Sequence, residues 1–189
     1  MKTQETEIFE EDCYNINPLI GLGIEKVFDF GGNVGNFVMR AAELNCPIDS
    51  YEPFEPQFSR LKEVCDSIPN ATAIKKAITH NGRNGFKEKW PMTEQDRISP
   101  IGVGSEKFES VSIHDFLLES NCFFKIDIEG GELELLPFLK MIAQKNWISI
   151  EFHGKKQAHE DFLDGLNYTT YGNRDDIFVA RINPMSLAC

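Results

Sequence analysis

The sequence lacks any apolar run approaching the roughly 20 residues that span a bilayer. Its start, Met-Lys-Thr-Gln-Glu-Thr-Glu, also lacks the basic-then-apolar order of a signal peptide. The expectation is a cytoplasmic protein with no membrane partner. No Cys-x-x-Cys occurs, and the five cysteines, Cys13, Cys46, Cys65, Cys122 and Cys189, are scattered and odd in number. That argues against a disulfide framework or a zinc knuckle and leaves reduced, packing thiols. Cations are scarce as well: 19 Lys and Arg stand against 30 Asp and Glu, a formal net charge of -11. Nucleic-acid affinity rests on Lys and Arg neutralising phosphates, so such a partner is not expected.

What is present is ordinary globular content, 41% hydrophobic with 11% aromatic residues in 189, enough for one domain over 1–189. Residues 1–18 form an acidic N-terminal extension. Residues 81–104, rich in Gly, Asn, Pro and charge, read as a loop or lid insertion. From Lys26 onward strand-like and helix-like segments alternate, which is the signature of a parallel α/β sheet. The patterning predicts strands at 27–30, 48–52, 71–79, 123–129 and 147–153, and closing strands near 168–171 and 177–182. Turn chemistry at 171–176 makes the last two an antiparallel hairpin. The fold class is therefore α/β, a seven-stranded, mostly parallel sheet with helices on both faces and a C-terminal antiparallel hairpin. That is the Rossmann-like architecture of the class I methyltransferases.

Two stretches carry chemistry. Asp29-Phe-Gly31-Gly32-Asn33-Val-Gly35 follows a strand and opens a helix, so its glycines can take positive φ and bring backbone amides to a nucleotide-like ligand. The glycine spacing departs from the G-x-G-x-x-G dinucleotide pattern, which disfavours NAD and a nucleotide-dependent oxidoreductase. Glu52, at the end of the second strand, suits the two hydroxyls of a ribose. The second stretch, Lys125-Ile-Asp127-Ile-Glu129-Gly130-Gly131, sets three charges on one face of a predicted strand. Buried charges must pair, reach solvent or meet a ligand. Ser149, Glu151 and His153 repeat that one-sided pattern on the next strand. If the two strands are neighbours, Asp127, Glu129, Glu151 and His153 converge at their carboxyl ends.

Six segments together resemble the FkbM-type family of S-adenosylmethionine-dependent methyltransferases. They are Val27-Phe-Asp-Phe-Gly-Gly-Asn-Val-Gly35, Tyr51-Glu-Pro-Phe-Glu-Pro56, Ala77-Ile78, Ser112-Ile-His-Asp-Phe-Leu117, Lys125-Ile-Asp-Ile-Glu-Gly-Gly-Glu132 and Ser149-Ile-Glu-Phe-His153. The resemblance implies S-adenosylmethionine as cofactor. Asp29, Gly31, Gly32, Asn33 and Gly35 would lie at its methionine and ribose end, Glu52 would bind the ribose, Ala77 and Ile78 would flank the adenine, and Asp127 would lie nearby. It implies as partner a small-molecule or glycan hydroxyl, on a sugar, polyketide or related metabolite. His114 departs from the family pattern, which often has an acidic residue there.

An alcohol acceptor must lose a proton, and a positioned base adds roughly 10²–10⁴-fold to the rate. His153 is the expected base, since an unperturbed imidazole titrates near pH 6.5. Asp127, Glu129 and Glu151 are the other catalytic candidates. The same groups could hold a divalent cation, but their spacing fits no established metal motif, so no metal is assigned. The alternative from another class is a non-catalytic cofactor-binding or regulatory module. Nucleic-acid amino methylation is disfavoured because the fourth strand ends in Asp-Ile-Glu-Gly.

Overall fold

Two hydrophobic layers flank one sheet, and the sequence dictates both through strict alternation along its strands. In the computed structural model, which describes residues 6–89, 96–99, 107–129, 131–153, 156–172 and 177–184, the strands of this sheet are β1 (Val27–Phe30), β2 (Ile48–Tyr51), β3 (Ala71–Ile74), β4 (Phe123–Ile126), β5 (Trp147–His153), β6 (Asn167–Tyr171) and β7 (Ile177–Asn183). Their order is β6-β7-β5-β4-β1-β2-β3. The pairings among β1 to β5 are parallel, whereas β7 is antiparallel to both β5 and β6. The expected architecture and closing hairpin are thus present, with turn residues 173–176 outside the described residues.

Phe28, Phe30, Phe124, Ile126, Ile150 and Phe152 point to one side. There they bury against α3 (Glu132–Ile142) and α4 (Lys156–Leu163) through Leu135, Leu139, Phe162 and Leu163. The other side carries Val27, Ile48, Phe123 and Trp147 under α1 (Asn36–Ala41) and α2 (Gln57–Asp66). The N-terminal extension lies on this second layer too, burying Ile8, Cys13, Tyr14 and Ile16. Each large aliphatic or aromatic side chain so buried contributes about 1.5–3 kcal/mol. Cys13, Cys46, Cys65 and Cys122 are free and buried, as expected of packing thiols. No described helix is long and apolar enough to cross a membrane.

The predicted elements differ in the third strand, the fourth strand and the insertion. The third strand stops at Ile74, and Ala77–Thr79 instead pairs with Ser110–Ser112 in a separate two-stranded sheet. The break falls at Lys75-Lys76, where the Lys76 amide folds back onto the Ile74 carbonyl at 2.9 Å. The fourth strand ends at Ile126, three residues early. Glu129 adopts φ 53° and Glu132 Oε1 accepts from the Ile128 amide at 3.0 Å, so the chain curls into α3 and leaves the ladder. Of the predicted insertion, Gly85–Lys89 and Asp96–Ser99 join Lys107–Phe108 in a small antiparallel sheet, and its remaining central residues lie outside the described set.

Candidate functional site

β1 ends at Phe30 and the chain must turn at once into α1. Gly31 takes φ 88° and Asn33 φ 48°, left-handed values that a glycine and an asparagine tolerate best. The Gly31 and Gly32 amides donate to the Tyr51 carbonyl at 3.0 and 2.9 Å, fastening this turn to the end of β2. Gly31 has a second constraint. A Cβ there would sit 1.8 Å from the Asp127 carbonyl oxygen, so the turn and the segment after β4 touch only because no side chain intervenes.

Glu52 follows β2 and is 8% exposed. Its Oε2 accepts from the Asn33 amide and its Oε1 from the Phe54 amide, both at 3.0 Å. Burial pushes its carboxyl up to about 7, opposed by those two amides. Glu52, Gly31 and Asn33 line a cleft of about 810 Å³, counting its open mouth. Ala77 and Ile78 form its apolar wall, and Asp127 and Glu129 close its other end. Six of the residues expected at a cofactor, Gly31, Asn33, Glu52, Ala77, Ile78 and Asp127, therefore share one cavity.

The remaining three do not line it. Asp29 is fully buried, accepting from Ser50 Oγ at 2.5 Å and ion-paired to Lys125 at 3.3 Å. Gly32 and Gly35 serve packing: a Cβ would meet Ser50 Oγ at 2.2 Å in the first case and Val64 at 2.9 Å in the second.

Lys125 is the internal cation of the site. Its Nζ donates to the Gly31 carbonyl at 2.6 Å and lies 3.3 Å from Asp29 and 3.6 Å from Asp127. Burial opposes its charge, but the two carboxylates outweigh that and hold its ammonium above the ordinary lysine range. One charge thus ties β1, β4 and the glycine turn together.

β4 and β5 are indeed neighbours, with Ser149 beside Lys125, so the expected convergence is present. His153 Nδ1 lies 3.3 Å from Glu132 Oε1, and its Nε2 lies 3.5 Å from Glu129 and 3.7 Å from Glu151. Burial disfavours the imidazolium, yet the surrounding carboxylates, Glu132 first, raise His153 to about 9. Burial likewise raises Glu151 toward neutrality, with the charge of Asp127 adding to it, and burial raises Glu129. Donor atoms of Asp127, Glu151 and His153 all lie within 4.8 Å of one another, close enough for one cation to reach all three. Protonated His153 also places positive charge among these carboxylates.

Sequence reasoning missed the role of Tyr14. It lies in the extension that carried no motif, yet its hydroxyl reaches Asp127 Oδ2 at 3.1 Å and Glu151 Oε2 at 3.2 Å. Its backbone is pinned by Ser149 Oγ, which donates to the Tyr14 carbonyl at 2.6 Å. Arg181 on β7 donates to the Cys13 and Asp12 carbonyls at 2.9 and 2.8 Å. The only sequence signal was the apolar spacing Ile8, Tyr14, Ile16 inside an acidic stretch.

No protein-family model matches the chain, nor does any curated protein. Solved structures do. Human methyltransferase 10 domain-containing protein is similar at 15% identity over 97% of this chain and 83% of that one, with a TM-score of 0.52. Precorrin-6y C5,15-methyltransferase from Geobacter metallireducens is similar at 9% identity, 97% and 93% coverage and a TM-score of 0.52. A chain of a fibrillarin/Nop5p complex is similar at 13% identity, 86% and 74% coverage and a TM-score of 0.52. At such identities the likeness shows the fold, which is that of the class I methyltransferases.

Proposed function

We propose that this chain is an S-adenosylmethionine-dependent methyltransferase acting on a hydroxyl of a sugar, polyketide or related metabolite, as the FkbM-type resemblance implies. The observation that carries the reading is the single cleft running from Glu52 and the glycine turn to Asp127 and Glu129. Glu52 would take the ribose, Ala77 and Ile78 the adenine, and Gly31 the methionine end.

In the reaction the acceptor oxygen attacks the sulfonium methyl in line. The C–O bond forms, the C–S bond breaks with its electron pair going to sulfur, and the acceptor proton passes to a base. Holding the partners in line is worth on the order of 7–11 kcal/mol. The acidic end of the cleft supplies the base. His153, held near 9, is protonated at neutral pH and acts as counter-charge. Asp127, facing the cleft, and Glu151, raised toward neutrality beside it, receive the proton. A base titrating close to the working pH is the efficient one.

Transfer of a tritiated methyl group from S-adenosylmethionine to a panel of hydroxylated acceptors tests this. Wild-type protein is expected to label an acceptor, and Glu151→Gln to lower turnover by roughly 10²–10⁴-fold. Cofactor binding without transfer to any acceptor would make the chain a non-catalytic module, and no binding would sink the cofactor assignment.

A further inference from the structure

The N-terminal extension contributes Tyr14, 4% exposed, whose hydroxyl touches the cleft-lining Asp127. The Tyr14 ring packs edge-on against Phe37 of α1 at 5.4 Å, and Lys125 Nζ lies 5.4 Å from its centroid. These contacts, with the Ser149 bond to its carbonyl, fix where the hydroxyl points. It points between two carboxyls that are 24 positions apart in sequence, Asp127 just after β4 and Glu151 on β5. A phenol has one hydrogen to give and lone pairs to receive with. Both contacts are hydrogen bonds only when Tyr14 donates to one carboxylate and accepts from the other carboxyl in its protonated form.

We propose that Tyr14 is a positioning residue that couples Asp127 to Glu151, making the two carboxyls one acid–base unit in which a proton taken up at the cleft is accommodated by both. This rests on the methyltransferase reading for its purpose, though the coupling itself is independent of it. Asp127 faces the cleft, whereas Glu151 stands behind it, and Tyr14 is the group that touches both. When Asp127 holds that proton, Tyr14 accepts from Asp127 and donates to ionised Glu151, so both contacts are hydrogen bonds.

Beside its cross-strand partner Val179, Glu151 faces several charged or titratable groups. Lys125 and Asp127 approach from β4 and the segment after it, His153 lies on β5 itself, Glu129 and Glu132 lie against His153, and Cys13 accompanies Tyr14 in the extension. Arg181 of β7 reaches the Cys13 and Asp12 carbonyls. Among these, the Tyr14 hydroxyl favours the ionised form of Glu151 by hydrogen bonding.

The test needs no acceptor. Protein labelled with ¹³C at the glutamate carboxyls is titrated by NMR as wild type and as Tyr14→Phe, with S-adenosylhomocysteine affinity measured in parallel. Removing the hydroxyl is expected to raise the Glu151 midpoint by about one pH unit, the size of one lost hydrogen bond, and to leave S-adenosylhomocysteine affinity within about threefold. An unmoved midpoint in folded Tyr14→Phe overturns the proposal. If that variant does not fold, the ¹³Cζ resonance of Tyr14 in wild type is followed instead. It should step at the Glu151 midpoint and lose that step in Glu151→Gln, and a flat trace in wild type overturns the proposal. Failure of wild-type protein to bind S-adenosylhomocysteine sinks the methyltransferase reading while leaving the titration result standing.

Discussion

The two ends of the cleft are built by opposite means. At the Glu52 end the work is done by backbone: a left-handed turn, amides aimed at one carboxylate, and a glycine that lets Asp127 come close. At the Asp127 end the work is done by side chains: carboxylates, a lysine, an imidazole and a phenol drawn from three separate parts of the chain. The first end depends on local conformation, and the second on long-range charge balance. Substitutions should therefore act differently on them.

Lys125→Met breaks the balance most severely. It leaves Asp29 buried without its cation, and removing one partner of a buried ion pair costs about 3–5 kcal/mol. Urea unfolding should show that loss, and pairing the change with Asp29→Asn should recover much of it. Unchanged stability would mean that the charges are not what ties the two ends together.

Stability should also fall with pH in two windows. His153 lies above its unfolded value, so its contribution is complete below about 6.5 and is lost as pH rises through about 9, a change of about 3 kcal/mol. Glu52 is raised as well, so its contribution is lost earlier, as pH rises from about 4.5 through about 7. Urea midpoints across this range should lose the upper window in His153→Asn and part of the lower in Glu52→Gln, the rest of it belonging to Glu151, which burial raises into the same range. A single window abolished by either variant would merge the two ends.

The smallest effect expected is that of divalent cations. Because His153 already supplies positive charge among the carboxylates, millimolar Mn²⁺ or its chelation should leave the melting temperature within about a degree. A clear rise would mark binding to the folded state and turn the acidic end into a metal site.

The same contrast explains what could be read from sequence. Strand alternation and the Gly31–Gly35 turn are local, so the sheet, its hairpin and the Glu52 end were legible. The juxtaposition of β4 and β5 also followed, since Lys125–Glu129 and Ser149–His153 carry matching one-sided polarity. Tyr14 could not be found that way, because its partners lie 113 and 137 positions away and nothing beside it signals them. The environment of His153 was equally hidden. A histidine is an expected base near pH 6.5, and only the carboxylates around it, Glu132 chief among them, raise it above that range. Strand four ended early for a similar reason, since the capture of the Ile128 amide by Glu132 is a contact the alternation does not encode.

The division of labour along the cleft is tested most directly by calorimetric titration of S-adenosylhomocysteine, whose neutral sulfur avoids a direct charge effect at the acidic end. Wild-type protein should bind it, Glu52→Ala should weaken binding by roughly tenfold or more through lost charge-assisted hydrogen bonds, and Glu151→Gln should leave it within about threefold. No binding by wild type, or equal losses in the two variants, would contradict the account.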